Sequence, residues 1–397
     1  MKALYAILTL ALFAAAASAN VHHETEQEEF LAPLIQNYDA EIIPGQYIVV
    51  FRPDVSMADA RVFADSISIG RFFSVGREFK AVAGFIPEGL LDRIRARSDI
   101  VDYVEADQIV RIDAITQNNA TWGLDRIDQR NLPMNTKYSY YNHAGAGVNV
   151  YVVDTGINNA HTDFGGRSVN GYNFHGGNSN ANDDNGHGTH CAGTIGSATW
   201  GVAKKSSLIG VKVLGANGSG SLSNVAAGVS WVAEQHKKSS NKKTIASMSL
   251  GGGANNTVDD AVRAAINAGV SVIVASGNDN RDACNSSPAR VTNAVTVNAS
   301  DRNDARASFS NWGTCTDIFA PGVSITSTWI GSPSATKTIS GTSMATPHVA
   351  GVAALMMGQS GSLSPSTVKN NLINNSTKNV ITDVKGSPNR LLYSPYA

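Results

Sequence analysis

The spacing of apolar positions changes twice along the chain, and each change marks a different part of the molecule. Lys2 is followed by an apolar run over residues 3–17 that closes on Ala17-Ser18-Ala19. A positive start, a short apolar middle and a small-x-small ending form the pattern of a secretory signal peptide over residues 1–19. A membrane anchor is the alternative, but the run is shorter than the roughly 20 residues that span a bilayer. Next comes a zone of short, mixed elements. Residues 47–51, 81–86 and 101–106 read as strands, and 56–66 and 90–96 as helices. The order strand, helix, strand, helix, strand predicts a compact α+β module.

From about residue 148 the pattern becomes that of buried strands alternating with helices. Continuous apolar runs at 148–153, 207–214, 244–250, 270–275 and 294–297 mark strands covered on both faces. Helical spacing appears at 223–236, after a Ser cap, and at 257–268, where Gly269 stops it. An apolar stretch at 349–357 reads as a buried helix. The fold class expected is α/β, a mostly parallel sheet with helices on both faces, preceded by the small α+β domain. Catalytic groups in such sheets lie at the carboxyl ends of strands.

Composition narrows the class. Of 397 residues 42% are hydrophobic and 16% charged, and the formal net charge is -1. A large core is available, and the near-neutral balance gives no electrostatic reason for a nucleic-acid partner. No later segment is apolar for long enough to span a bilayer, so a soluble, secreted, extracellular protein without membrane contact is expected. Asn119-Ala120-Thr121 and Asn255-Asn256-Thr257 are sequons that permit glycosylation in a eukaryote.

Three segments carry candidate chemistry. Asp154 follows a strand and precedes Thr155-Gly156, where a carboxylate leaves the apolar sheet and is costly unless paired. Alone, it would read as a turn residue or cap. His187 stands between Gly186 and Gly188, free of bulky neighbours, so its imidazole can reach a nucleophile and a carboxylate. His187 and His190 are three apart, as some zinc ligands are, but the H-E-x-x-H spacing with its Glu base is missing. Ser343 lies in a small-residue loop that runs into the apolar helix, with Pro347 placed in the first turn. Free N–H groups and the helix dipole there favour a developing negative charge. An N-cap serine is the bland reading, and the segment is not the Gly-x-Ser-x-Gly elbow.

Taken together, VVDTGI at 152–157, GHGTHCAG at 186–193 and GTSMATPHVAG at 341–351 resemble the three active-site blocks of subtilisin-like serine proteases. The chain order Asp, His, Ser matches the subtilisin order. The proteinase K branch fits best, through TWGLDRI, GVAKK, GVKVLGANGSG, SLGGG and SFSNWG. The resemblance covers nearly everything after the signal peptide. It implies a serine endopeptidase with Ser343 as nucleophile, His187 as base and Asp154 as its orienter. Asn278, in Ala275-Ser276-Gly277-Asn278, matches the oxyanion-hole amide that works with the N–H of Ser343. Gly218, Ser219, Gly220 and Ser221, with Ser249, Leu250, Gly251 and Gly252, match the segments that pair with an extended peptide substrate. Gly251 and Gly277 should line an open, uncharged pocket for the residue before the cut, with a preference for aromatic or aliphatic side chains.

The same resemblance assigns the remaining special residues. An odd cysteine count in a secreted chain suggests one pair and one free thiol. Cys284 and Cys315 match a disulfide of the aqualysin-like members, and Cys191 matches the branch's buried, unpaired cysteine. No catalytic cofactor is implied, but structural Ca²⁺ is. Asp317 matches a ligand carboxylate, with carbonyls near Thr292 and Ala294 as partners. Asp125, Asp128 and Gln129 resemble a second calcium site, with Lys137 near where another oxygen would be expected. Residues 20–114, with a folded part at about 45–112, match an inhibitory propeptide. A maturation cut is expected near Ala114–Ile115, leaving 115–397 as a monomeric peptidase acting on proteins and peptides. Rival readings are a catalytically silent subtilisin fold that binds or inhibits, and a structural surface glycoprotein.

Overall fold

The computed structural model describes residues 30–37, 42–68, 70–109 and 114–395; the signal-peptide pattern lies outside these described residues. The chain divides into two compact units between Arg111 and Ile112.

The first unit is a five-stranded sheet with two helices. Its strands are β1 (Leu34–Ile35), β2 (Ile42–Phe51), β3 (Arg71–Val75), β4 (Phe79–Phe85) and β5 (Val101–Gln108), in the order β1-β5-β2-β4-β3. Helix α1 (Met57–Ile67) is capped by Ser56, whose hydroxyl accepts from the N–H of Asp59, and α2 (Glu88–Arg95) follows Pro87. Phe51, Phe63, Val82, Leu91, Ile94 and Val104 form its core. All five expected elements are present, and the unit contains two further strands, β1 and β3. Strand β3 carries Phe72, Phe73 and Val75 but is largely exposed, and with apolar residues on both faces it shows no apolar–polar alternation to read. Strand β1 moves the start of the fold from residue 45 back to about 32, where Ala32 exchanges hydrogen bonds with Arg95 at 2.8 and 2.9 Å.

The second unit opens with β6 (Ala114–Asn118), antiparallel to β7 (Lys137–Tyr141), with α3 (Trp122–Ile127) between them. The expected cut, Ala114–Ile115, therefore falls inside a paired strand. The central sheet contains β8 (Asn149–Asp154), β9 (Ser168–Asn173), β10 (Ser207–Lys212), β11 (Thr244–Met248), β13 (Ser271–Ala275), β15 (Val295–Ser300), β16 (Ile318–Pro321), β19 (Thr377–Lys378) and β20 (Arg390–Leu391). Their order is β19-β20-β16-β15-β13-β11-β8-β10-β9, and every pairing but β19–β20 is parallel. Besides β6–β7, two small antiparallel pairs stand outside it: β12 (Gly252–Gly253) with β14 (Ser286–Ser287), and β17 (Ile325–Thr328) with β18 (Thr336–Ile339).

Successive side chains of β8 explain why its sequence is apolar from Val150 to Val153. Val150 and Val152 join a core with Ile195 of α4 (His187–Gly196) and the central helix α7 (Thr342–Ser360). Tyr151 and Val153 point into the opposite core, with Val229 of α5 (Leu222–Lys238) and Val262 of α6 (Asn256–Asn267). Helix α8 (Pro365–Asn375) adds Val368 and Leu372 to the first core. Helix α7 is buried almost throughout, as a helix apolar on every side must be. It begins at Thr342, seven residues ahead of the apolar stretch. Pro347 is therefore inside the helix and not in its first turn.

Candidate active site

Asp154 ends β8 fully buried, and His187 opens α4 opposite it. The two meet at 2.8 Å between Asp154 Oδ1 and His187 Nδ1. Burial alone would push the imidazole down, but the adjacent carboxylate outweighs it and holds His187 well above the ordinary value of 6.5. The close approach depends on small residues. A Cβ at Gly188 would lie 2.2 Å from the Gly156 carbonyl oxygen, and the Gly188 N–H donates to Thr155 Oγ1 at 2.8 Å. Asp183 fixes the start of α4: Oδ1 accepts from the Gly186 N–H at 2.9 Å, and Oδ2 from the Thr189 N–H at 2.9 Å. Asp183 carries no signal in the sequence, because the glycines around His187 conceal the helix start that it fixes.

Ser343 lies in the first turn of α7. A residue there normally gives its carbonyl to the N–H four residues on, but position 347 is proline and has none. Two side chains supply the missing donors. The Ser249 hydroxyl donates to the Ser343 carbonyl at 3.0 Å, and the Cys191 thiol does so at 3.4 Å. The Ser343 hydroxyl donates in turn to the Ser249 carbonyl at 3.1 Å. Cys191 Sγ is also 4.0 Å from His187 Nδ1, so the acidic, imidazole and serine segments share one small region. Asp154, His187 and Cys191 offer ligand atoms within 4.8 Å of one another, a set a soft metal could use. Burial pushes the Cys191 thiol up, which keeps it a neutral donor near neutral pH.

Asn278 follows β13 on an exposed loop beside Ser343. Its Oδ1 accepts from both the N–H and the hydroxyl of Thr342, at 2.8 and 2.9 Å. That fixes the amide orientation and leaves Nδ2 as the group free to donate elsewhere. Behind the loop stands Asn311, fully buried. It donates from Nδ2 to the Ser276 carbonyl at 2.8 Å and accepts at Oδ1 from the N–H groups of Asp279 and Arg281. Gly277 at φ +106° has no room for a side chain, since a Cβ there would meet Asn311 Nδ2 at 2.3 Å. Asn311 sits within the SFSNWG motif, but its role is invisible without the fold.

Two hollows flank these groups. One of about 380 Å³ is lined by His187, Gly218, Ser219, Gly220, Ser249, Leu250 and Gly251, with Leu214, Leu222 and Val258. The other, about 210 Å³, is lined by Leu250, Gly251, Gly252, Gly277, Asn278 and Ser343. Ser221 is not among the lining residues; its hydroxyl accepts from the Asn224 N–H and caps α5. The backbone of Gly252 is already paired with Ser287. The smaller pocket is not uncharged as expected. Asp279 and Arg281 line it and pair with each other at 3.2 Å.

The cysteines fall as the resemblance implied, with Cys284 and Cys315 disulfide-bonded and Cys191 free and buried. The two calcium assignments part company. Asp128 Oδ1 is buried without a protein partner, and burial, with the charge of Asp125 adding to it, pushes Asp128 up to about 6. A buried, partnerless carboxylate oxygen beside a second carboxylate suits a cation. Gln129 Nε2 donates to the Asn131 and Pro133 carbonyls, which draws these loop residues together. Lys137 makes no ion pair with either carboxylate among the described residues. The set of Asp317, Thr292 and Ala294 does not fit calcium. All three instead accept from Lys369 Nζ, at 2.7 Å for both carbonyls and 2.8 Å for Asp317 Oδ2. An ammonium group stands where the ion was expected.

Comparison with known proteins agrees with this geometry. The family model described as the subtilase family matches residues 145–391. The chain is 49% identical over 382 residues to alkaline serine exoprotease A of Vibrio alginolyticus, covering 91% of this chain and 70% of that protein. It is 47% identical over 408 residues to an extracellular serine proteinase of a Thermus species, covering 97% of each. A crystal structure described as a cold adapted subtilisin-like serine proteinase superposes with a TM-score of 0.67 at 52% identity, over 70% of this chain and 99% of that one. Among the described residues, no helix is long and apolar enough to cross a membrane.

Proposed function

The chain belongs to the subtilase family and is a serine endopeptidase; on that premise we propose that Asp154, His187 and Ser343 are its triad and Asn278 its oxyanion-hole amide. The observation that carries this reading is the 2.8 Å contact between buried Asp154 and His187 on an imidazole held well above its ordinary value. The Ser343 hydroxyl turns from the Ser249 carbonyl to His187, gives up its proton and attacks the scissile carbonyl. His187 then protonates the leaving amine, and Asp154 stabilises the imidazolium formed in between. The Asn278 Nδ2 donor, with its oxygen tied to Thr342, and the Ser343 N–H at the start of α7 face the charge that develops. Water completes the cycle by hydrolysing the acyl-enzyme.

The substrate is an extended protein or peptide chain, bound by backbone pairing at Gly218–Gly220 and Ser249–Gly251, which favours broad specificity. The smaller pocket takes an aromatic or aliphatic residue before the cut; the paired Asp279 and Arg281 leave it with no net charge. The protein is secreted, as the pattern at residues 1–19 suggests and as the name of the Thermus relative agrees. Residues 20–114 act as its chaperone and inhibitor until the chain cuts itself near Ala114–Ile115. That cut requires Ala114 to leave its pairing with Tyr141. Asp125, Asp128 and Gln129 hold one structural Ca²⁺ in the mature monomer.

A fluorophosphonate probe tests the assignment. Adduct formation on Ser343, abolished in His187→Ala, is the expected result. An unlabelled Ser343 in folded protein would leave the silent binding protein or the surface glycoprotein as the better reading.

A further inference from the structure

Lys369 projects from α8, and its ammonium meets three groups contributed by two other segments. The Thr292 and Ala294 carbonyls lie just ahead of β15, and Asp317 just ahead of β16. An ammonium has three protons and no acceptor. Here the three protons have three acceptor groups: the two carbonyls at 2.7 Å and the Asp317 carboxylate at 2.8 Å. These are the lengths of charge-assisted N–H···O bonds. Calcium would draw six to eight oxygens in to about 2.3–2.6 Å. Charge agrees with geometry. The single positive charge of Lys369 balances the one carboxylate, Asp317, and the two neutral carbonyls only accept hydrogen bonds, whereas a divalent ion would leave an excess and also repel the lysine. Both side chains are largely shielded, Lys369 being 17% and Asp317 15% exposed.

We propose that Lys369 is a built-in, permanent replacement for the cation that the resemblance assigns to Asp317, Thr292 and Ala294. The lysine ties α8 to the bases of β15 and β16 without drawing on calcium. The clasp bears on the site through two contacts. Asp317 Oδ2 also accepts from the Thr296 N–H, and Thr296 Oγ1 donates to the Ala289 carbonyl in the wall of the smaller pocket. Further along β15, the Val297 carbonyl accepts from the Ser276 N–H at the base of the Asn278 loop. The architecture that calcium would stabilise is thus held whatever the calcium concentration, and calcium dependence rests on Asp125 and Asp128 instead.

The test uses the mature enzyme blocked with a sulfonyl fluoride, so that autolysis does not intervene and no readout depends on peptidase activity. Acetic anhydride labelling with peptide mass analysis reports whether the Lys369 amine is engaged, in calcium and in EGTA. Lys369 should label about tenfold or more slowly than exposed Lys238 in both buffers, a ratio that corresponds to about 1.4 kcal/mol of protection. Labelling that rises to the Lys238 rate on adding calcium would overturn the proposal, because the ion would then be displacing the ammonium. This arm needs no mutation and so cannot fail through misfolding. In a second arm, Lys369→Ala should melt roughly 5 °C or more below wild type in EGTA, as loss of one partner of a buried pair requires. It should also bind one calcium more than wild type, and Asp317→Asn in the same background should abolish that gain. A Lys369→Ala protein with unchanged melting and unchanged calcium stoichiometry contradicts the proposal equally.

Discussion

Ser249 and Ser343 exchange hydrogen bonds: each hydroxyl donates to the other's carbonyl, at 3.0 and 3.1 Å. The arrangement exists because Pro347 removes the helical donor that the Ser343 carbonyl would otherwise use. A proline that looks like a flaw in a buried helix thereby frees a carbonyl next to the nucleophile. The Ser249 hydroxyl takes up that carbonyl and locks Ser343 to the floor of the cleft.

Ser249→Ala should therefore lower turnover about tenfold and stability by about 1 kcal/mol, the usual contribution of one such bond. Pro347→Ala restores a backbone donor to the same carbonyl. The effect of Ser249→Ala on turnover should accordingly shrink in the Pro347→Ala background, and a double-mutant cycle on kcat measures the difference. Strict additivity would show that the two residues do not act on one acceptor.

The Asp154–His187 pair sets the acid side of the activity profile. An imidazole held above 6.5 is protonated, and useless as a base, until the pH exceeds its raised value. The acid limb of kcat/KM should thus lie above 6.5. Asp154→Asn should lower kcat about 10⁴-fold, through the wrong tautomer, and move the limb to lower pH. An unmoved limb in Asp154→Asn would mean that another group controls it.

Asn278→Ala should cost about 100- to 1000-fold in kcat and leave KM nearly unchanged, because the amide acts on charge present only in the transition state. Asn311→Ala should resemble it more weakly and add a loss of stability, since it removes the support of the whole loop. A Asn278→Ala enzyme with a raised KM and intact kcat would reassign the residue to substrate binding.

Stability should fall on acidification between pH 6.5 and 4. His190 and His348 are both pushed down to about 4 by burial, and both ring N–H groups are committed to carbonyls. The denatured chain takes up protons from 6.5 downward, while the native chain resists them until about 4. The stability is fully present above 6.5 and drains away below it, by about 1.4 kcal/mol per pH unit for each histidine. Asp128 works in the opposite sense when no cation is bound. Its native value of about 6 exceeds 3.8, so in that window the native chain holds a proton the denatured chain has released. Chemical denaturation of the blocked enzyme in EGTA across this range should show the fall, made steeper by Asp128→Asn and shallower by His348→Asn. A flat profile would contradict the burial of these imidazoles as neutral groups.

Which features could be read from sequence follows from how local they are. Asp154 and Ser343 sit where a strand ends and a helix starts, and such transitions are written in neighbouring residues. Buried strands such as β8 announce themselves because both faces are apolar. By contrast, β9 alternates poorly, and glycines around His187 hid the start of α4. The start of α7 was missed for a similar reason, small polar residues standing in for the expected apolar ones. Asp183, Asn311 and Lys369 are the clearest losses. Each acts through contacts that only the folded chain creates, and Lys369 meets Asp317 from 52 residues away. The calcium assignment at Asp317 failed because the ligands were legible and the occupant was not.

The most direct measurement is the mass and peptidase activity of the secreted wild-type protein beside Ser343→Ala. Wild type shortened to a start near residue 115 and active on an uncharged peptide, with the variant full-length after signal removal and inactive, is the expected result. Both proteins processed alike, with neither cutting peptides, would contradict Ser343 as the nucleophile and self-cleavage as the route to maturation.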